Sequence, residues 1–138
     1  MATIREVLER KGSMVVTVGR EVPVLEAIGT MSEANIGAVV IVDSDRPAGI
    51  FTERDYLRKI ALKGRSSGDT TVEDVMSAPV ITVEPSESTR VAMETMTERR
   101  CRHLVVVEGG QMVLAEPIHE KMIGTIHFHG PVTTVFGK

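Results

Sequence analysis

The sequence predicts an α/β protein (α+β by some schemes) made of two similar halves. The chain repeats itself at a spacing of 65 residues. Laying residues 17–42 over 82–107 gives eight identities in 26 ungapped positions, at Thr17, Val18, Ala27, Thr30, Met31, Glu33, Val40 and Val42. Ile28 with Met93, Ile36 with Cys101 and Val39 with Leu104 exchange like for like. Short β-branched runs alternate with stretches of helical apolar spacing. Residues 63–71, rich in Gly, Ser and Thr, separate the copies. A two-fold repeat of this kind implies two units, each covering an apolar face that the other cannot leave wet.

The first copy opens with helical spacing at Ile4, Val7 and Leu8, and Gly12 follows as a stop. Residues 14–18 read as a strand. Pro23 suits an early helical turn, and Val24, Leu25, Ile28 and Met31 make an apolar stripe. Residues 38–42 are a continuous apolar run, as in a strand buried on both faces. Asp43-Ser44-Asp45-Arg46-Pro47 is a turn cluster, and Gly49-Ile50-Phe51 a second short strand. Thr52 is a good N-cap for a helix lined by Tyr56, Leu57, Ile60 and Ala61 and ending near Gly64. The second copy restarts at Val72-Glu73-Asp74-Val75-Met76, which mirrors Ile4-Arg5-Glu6-Val7-Leu8. Residues 80–83 are its first strand. Val91, Met93 and Met96 lie on its helix, residues 104–107 form its buried strand, and Glu108-Gly109-Gly110-Gln111 is a hairpin turn. The boundaries so read are a first unit at 1–64, a linker at 65–71, a second unit at 72–123 and an atypical segment at 124–138.

Composition narrows the function classes. The chain has 138 residues, enough for a substantial core, with 42% hydrophobic and 25% charged residues, as in an ordinary globular protein. Its apolar runs fall short of a membrane span, and charges stand where a signal peptide needs an apolar stretch. Cys101 is a single cysteine, so no internal disulfide forms and a reducing, cytoplasmic setting is expected. A net charge of −3, one Tyr, three Phe and no Trp argue against nucleic-acid binding.

Several pieces together resemble the CBS domain, named after cystathionine β-synthase. In the first copy they are Thr17-Val18, Glu26-Ala27, Ile36-Gly37-Ala38-Val39-Val40-Ile41-Val42 and Gly49-Ile50-Phe51-Thr52-Glu53-Arg54-Asp55. In the second they are Met76-Ser77-Ala78-Pro79-Val80-Ile81-Thr82-Val83 and Arg102-His103-Leu104-Val105-Val106-Val107. The resemblance covers about residues 4–113. It implies a stand-alone tandem pair, or Bateman module, of two β-α-β-β-α units packed about a pseudo-two-fold axis. It further implies two clefts that take adenosine-containing ligands (AMP, ADP, ATP or S-adenosylmethionine), a disc-shaped homodimer, and a regulatory role toward an unknown effector protein.

Thr52 and Asp55 carry the chemistry on which that expectation turns. A helix N-terminus attracts phosphate through its backbone N–H groups. A carboxylate one turn in suits a ribose diol, and Gly49 lets backbone approach a base. Read from residues alone, Thr52 is equally an N-cap and Asp55 a complement to the helix dipole. The resemblance favours the ligand role. It implies a site formed by Val16, Thr17, Ile36, Gly37, Ala38, Thr52, Arg54 and Asp55, with Arg102 and His103 reaching across from the second copy toward phosphate. Arg102, beside Arg99 and Arg100, also fits a solvated stretch.

The second copy of the motif, taken at the same 65-residue spacing, is Leu114-Ala115-Glu116-Pro117-Ile118-His119-Glu120. Leu stands for Gly49, Pro117 for Thr52 and Glu120 for Asp55, so a weak or empty second cleft is expected. The C-terminal helix of the family is cut short by Gly124 on this reading. Met31, Met93 and Met96 read as core, and Cys101 as a buried small hydrophobe without a base to activate it. His127-Phe128-His129 offers two imidazoles on one strand face, fewer than the four ligands of a structural zinc site. With neither a nucleophile–base pair nor a metal cluster, the chain reads as a sensor rather than an enzyme, with no catalytic cofactor. The alternative is an interaction module that binds no ligand and uses its divergent C-terminus.

Overall fold

The computed structural model describes residues 2–11, 15–44, 46–108 and 121–127. The elements in order are α1 (Ile4–Lys11), β1 (Thr17–Gly19), α2 (Val24–Ala34), β2 (Ala38–Asp43), β3 (Arg46–Thr52), α3 (Glu53–Asp55) running into a π-helical stretch (Tyr56–Ala61), α4 (Val72–Val75), β4 (Thr82–Val83), α5 (Thr89–Arg99), β5 (His103–Glu108) and β6 (Lys121–His127). The expected alternation of helix and strand is therefore present. Two three-stranded sheets form, in the orders β1-β2-β3 and β4-β5-β6. In each, the first pair is parallel and the second antiparallel.

The chain divides into two compact units, one of residues Val16–Val80 and one of Met1–Val15 with Ile81–Lys138. This departs from the sequence boundaries at 64 and 72. The amphipathic turn at the head of each copy docks on the other copy's sheet. Ile4 and Leu8 of α1 are buried with Val83, Ala92, Met96, Leu104 and Val106. Val72 and Val75 of α4 are buried with Val24, Ala27, Met31, Val39, Ile41, Phe51 and Ile60. The docking repeats bond for bond. Val72 N–H donates to Val22 C=O at 2.9 Å, and Ile4 N–H donates to Glu87 C=O at 2.9 Å. Glu73 N–H donates to Arg20 C=O and Arg5 N–H to Pro85 C=O. Val24 N–H donates to Thr70 C=O and Thr89 N–H to Ala2 C=O. Each acceptor in one set lies 65 residues from its counterpart, except where the docked segment itself supplies it.

The residues read as a linker are thus stitched down. Thr70 is buried at 5% exposure, and Ser67 C=O accepts from Leu25 N–H. Leu25 does not join the stripe of α2. It is 61% exposed, and Ala27 takes the inward place. Ile60 is buried while Leu57 is 57% exposed, because the Tyr56–Ala61 stretch winds with i→i+5 bonds such as Leu62 N–H to Leu57 C=O. The second copy's opening strand is shorter than expected, at Thr82–Val83. Met31 and Met96 are core, Met93 is half-buried, and Cys101 is half-buried against the second core with its thiol pKa pushed up by burial.

Ladder register corrects the placement of the second motif. In the first sheet Ala38 pairs with Thr52, Ile41 with Gly49 and Val42 with Pro47, with a shift between Ile41 and Val42. In the second, His103 pairs with His127, Val106 with Gly124 and Val107 with Met122, with a shift at the same place. The partner strand is therefore displaced by 75 residues, not 65. Gly124 stands where Gly49 stands, and His127 where Thr52 stands. Gly124 is a strand residue and does not interrupt a helix. Residues 114–120, together with the hairpin at 109–111, lie outside the described residues.

Candidate functional site

The register gathers the sequence-chosen residues of the first copy at one end of its sheet. β1 and β2 start there and β3 ends there, since Thr17 pairs with Val40 and Ala38 with Thr52. Val16 C=O accepts from Val40 N–H at 3.0 Å. Ile36 enters the site from the end of α2, where Asn35 at φ 54° turns the chain and Ile36 N–H returns to Met31 C=O. Gly37 is exposed and lies against the Glu53 carboxylate, which stands 3.6 Å from where a Cβ would sit. Arg54 is exposed. Arg102 and His103, both half-buried, belong to the other unit, at the start of β5.

Asp55 is the centre of this site and is 6% exposed. With Thr52 it forms a capping box: Asp55 N–H donates to Thr52 Oγ1 at 3.1 Å, and Thr52 N–H donates to Asp55 Oδ2 at 3.0 Å. The Thr52 hydroxyl also donates to Oδ2 at 3.2 Å. Oδ1 accepts from the Ser77 hydroxyl at 2.9 Å and faces Lys59 Nζ at 3.0 Å. Lys59 Nζ in turn donates to Val75 C=O at 2.9 Å. A buried carboxylate is expensive unless donors surround it, and here four do.

Two sequence expectations change at this point. The helix start does not present a free row of amides, because Glu53 N–H donates to Gly37 C=O at 3.0 Å and Asp55 N–H to Thr52. The close approach at Gly49 is made by the protein itself: a Cβ there would collide with the Met76 side chain and stand 3.0 Å from Ser77 C=O. Glu53, Lys59 and Ser77 are site residues that sequence reasoning missed. Lys59 had a signal, since Asp followed by Lys at i,i+4 is a favourable helix pair. Ser77 had none beyond its place in the motif Met76-Ser77-Ala78-Pro79.

At the opposite end of the sheet an open depression of about 690 Å³ is lined by Arg20, Glu21, Glu26, Asp43 and Glu73, and by none of the chosen residues. Arg20 forks onto Glu73 with two 2.8 Å bonds and reaches Asp43 at 2.6 Å. Those bonds hold Glu73 below the usual carboxylate range. Among the described residues no group of three or more His, Cys, Asp or Glu is placed to hold a metal, and no helix is long and apolar enough to cross a membrane.

The chain is 40% identical over 111 residues to a mitochondrial CBS domain-containing protein of Arabidopsis thaliana, covering 77% of this chain and 54% of that protein. The chain thus spans about half the length of that relative. A proposed signal-transduction protein with CBS domains from Burkholderia ambifaria superposes with a TM-score of 0.78 at 45% identity, over 91% of this chain and 88% of that one. A CBS-domain-containing protein from Agrobacterium tumefaciens gives 0.76 at 37% identity, over 91% and 93%. The family model of the CBS domain matches residues 4–62 and 72–114. The chain belongs to the CBS-domain family and carries two of its domains in tandem.

Proposed function

We propose that the protein is a regulatory sensor binding an adenine nucleotide (AMP, ADP or ATP) at the end of the Val16–Val80 sheet. The observation that carries this reading is Asp55: a carboxylate 6% exposed, held rigid by a capping box, beside the turn at Gly37 in a CBS-domain chain. Its role is to accept the ribose diol. Val16, Thr17, Ile36 and Ala38 supply the walls for the base, Thr52 holds Asp55, and Arg54 is the candidate phosphate partner. The second copy has His127 at the position of Thr52, and three residues later in sequence stands Gly130 rather than an acid. One nucleotide per chain is therefore expected.

Titration calorimetry with AMP and ATP tests this. Wild type should bind with a stoichiometry near one. Asp55→Asn keeps the size and the cap but loses the charge, and should weaken binding about tenfold to hundredfold, the worth of charged hydrogen bonds. Binding unaffected by Asp55→Asn sinks the assignment.

A second reading has an observation of its own. The four donors on Asp55 leave it satisfied without ligand, as an interaction module that binds none requires. Leu57 and Leu62, 57% and 80% exposed, are then the natural contact for a second copy in a homodimer. Silence in calorimetry at millimolar nucleotide, with a dimer in sedimentation that Leu62→Glu dissociates, selects this reading.

A further inference from the structure

Every acceptor direction of Asp55 is already taken. An ionised carboxylate offers about four lone-pair sites. Two hold the N–H and hydroxyl of Thr52, at 3.0 and 3.2 Å, and two face Ser77 Oγ and Lys59 Nζ, at 2.9 and 3.0 Å. A ribose diol needs two of them. The Thr52 donors are fixed by the start of α3. Lys59 Nζ has a second acceptor in Val75 C=O, so it can leave Oδ1 without losing its last partner, and Oδ1 then offers two positions. Ser77 is exposed, and its hydroxyl is free to turn to water.

Ser77 also fastens a segment. Its N–H donates to Ile50 C=O at 2.8 Å and its C=O accepts from Ile50 N–H at 2.9 Å, a two-bond bridge on β3. Met76 lies over Gly49, where a Cβ would not fit. Three residues beyond Ser77 the unit ends at Val80, and the chain enters the other unit at Ile81.

On the basis of the nucleotide reading above, we propose that the Ser77 hydroxyl is a latch on Asp55 that a vicinal-diol ligand must displace. Binding and latching are then mutually exclusive at Oδ1. A nucleoside that takes Asp55 loosens residues 76–80 from β3, and the change leaves the site along the backbone into Ile81. The reporting device is this segment, and the ligand class that works it is a ribonucleoside rather than a deoxyribonucleoside.

The test is calorimetry of wild type, Ser77→Ala and Ser77→Thr with AMP and 2′-deoxy-AMP, together with amide hydrogen exchange at Ser77 and Ile50. Ser77→Ala should bind AMP about three- to tenfold more tightly than wild type, the value of one net hydrogen bond. Ser77→Thr, which keeps the hydroxyl, should lose that gain, and 2′-deoxy-AMP should show none. AMP should speed exchange at both amides in wild type. Equal AMP affinity of wild type and Ser77→Ala, or slower exchange on binding, overturns the latch and leaves the nucleotide site standing. No heat from any of the three proteins overturns the nucleotide site and the competition with it.

Discussion

The two units share a ladder pattern and differ in sequence where the third strand ends. Their ladders pair at equivalent positions, down to the register shift after Ile41 and after Val106. Their docked helices use matched hydrogen bonds. Two residues, Ser44 and Asp45, join β2 to β3, whereas twelve separate β5 from β6. Thr52 and Asp55 form a capping box in the first unit, while His127 and, in sequence, Gly130 stand at the matching positions of the second. Duplication has preserved what the sheet needs: apolar strands of matched register and a groove for an amphipathic turn. It has not preserved in sequence the Thr52–Asp55 pair that follows the third strand.

Breaking the docked helices gives the largest expected effect. Ile4 is fully buried, so Ile4→Ala should cost about 2–4 kcal/mol in urea denaturation. The faster amide exchange should appear in residues 81–108, although Ile4 opens the first copy in sequence. Val72→Ala should do the reverse, loosening residues 16–80. Exchange confined to the sequence-adjacent copy in either case contradicts the crossed arrangement.

A smaller effect separates the units at one matched position. Glu87 accepts from Ile4 N–H where Val22 accepts from Val72 N–H, but Glu87 also buries its Oε2 without a hydrogen-bond partner. Replacing it with the residue of the first unit, Glu87→Val, should raise stability by about 1 kcal/mol, because an unsatisfied buried acceptor carries a desolvation cost. A loss of stability would mean that the other carboxylate oxygen contributes more than its partner costs.

The smallest effect concerns Arg20, whose counterpart is Pro85. Its bonds lower the Glu73 pKa from the ordinary 4.5. A lowered native value stabilises the fold above about pH 4.5, and that contribution fades as pH falls through the native value. Arg20→Ala should return the Glu73 titration, followed by nuclear magnetic resonance, toward 4.5 and remove this part of the acid dependence. An unchanged titration would show the fork to be inert in solution.

Much of the fold was legible in the chain. The run from Ala38 to Val42 has the composition of a two-face-buried strand, and Thr52 reads as a cap because it stands just before the apolar stripe of Tyr56, Leu57 and Ile60. The partner of each amphipathic turn was not legible, because the spacing of Ile4 and Leu8 specifies an apolar face and not which sheet receives it. Nor was the displacement of β6. An ungapped overlay carries the 65-residue offset past Val107, and nothing in residues 109–120 marks an insertion. Ser77 escaped because a serine in an irregular segment has no periodicity; its meaning comes from Asp55, 22 residues away in sequence.

The exchange of α1 and α4 sets how the molecule has to be dissected. A fragment ending at residue 64 would carry an orphan turn at its head and an open groove over Val24 and Phe51. One bounded by Val16 and Val80 would keep its sheet, its filled groove and the Asp55–Ser77 bond together. Cutting at the seams of the repeat divides two folding units; cutting inside each repeat preserves one.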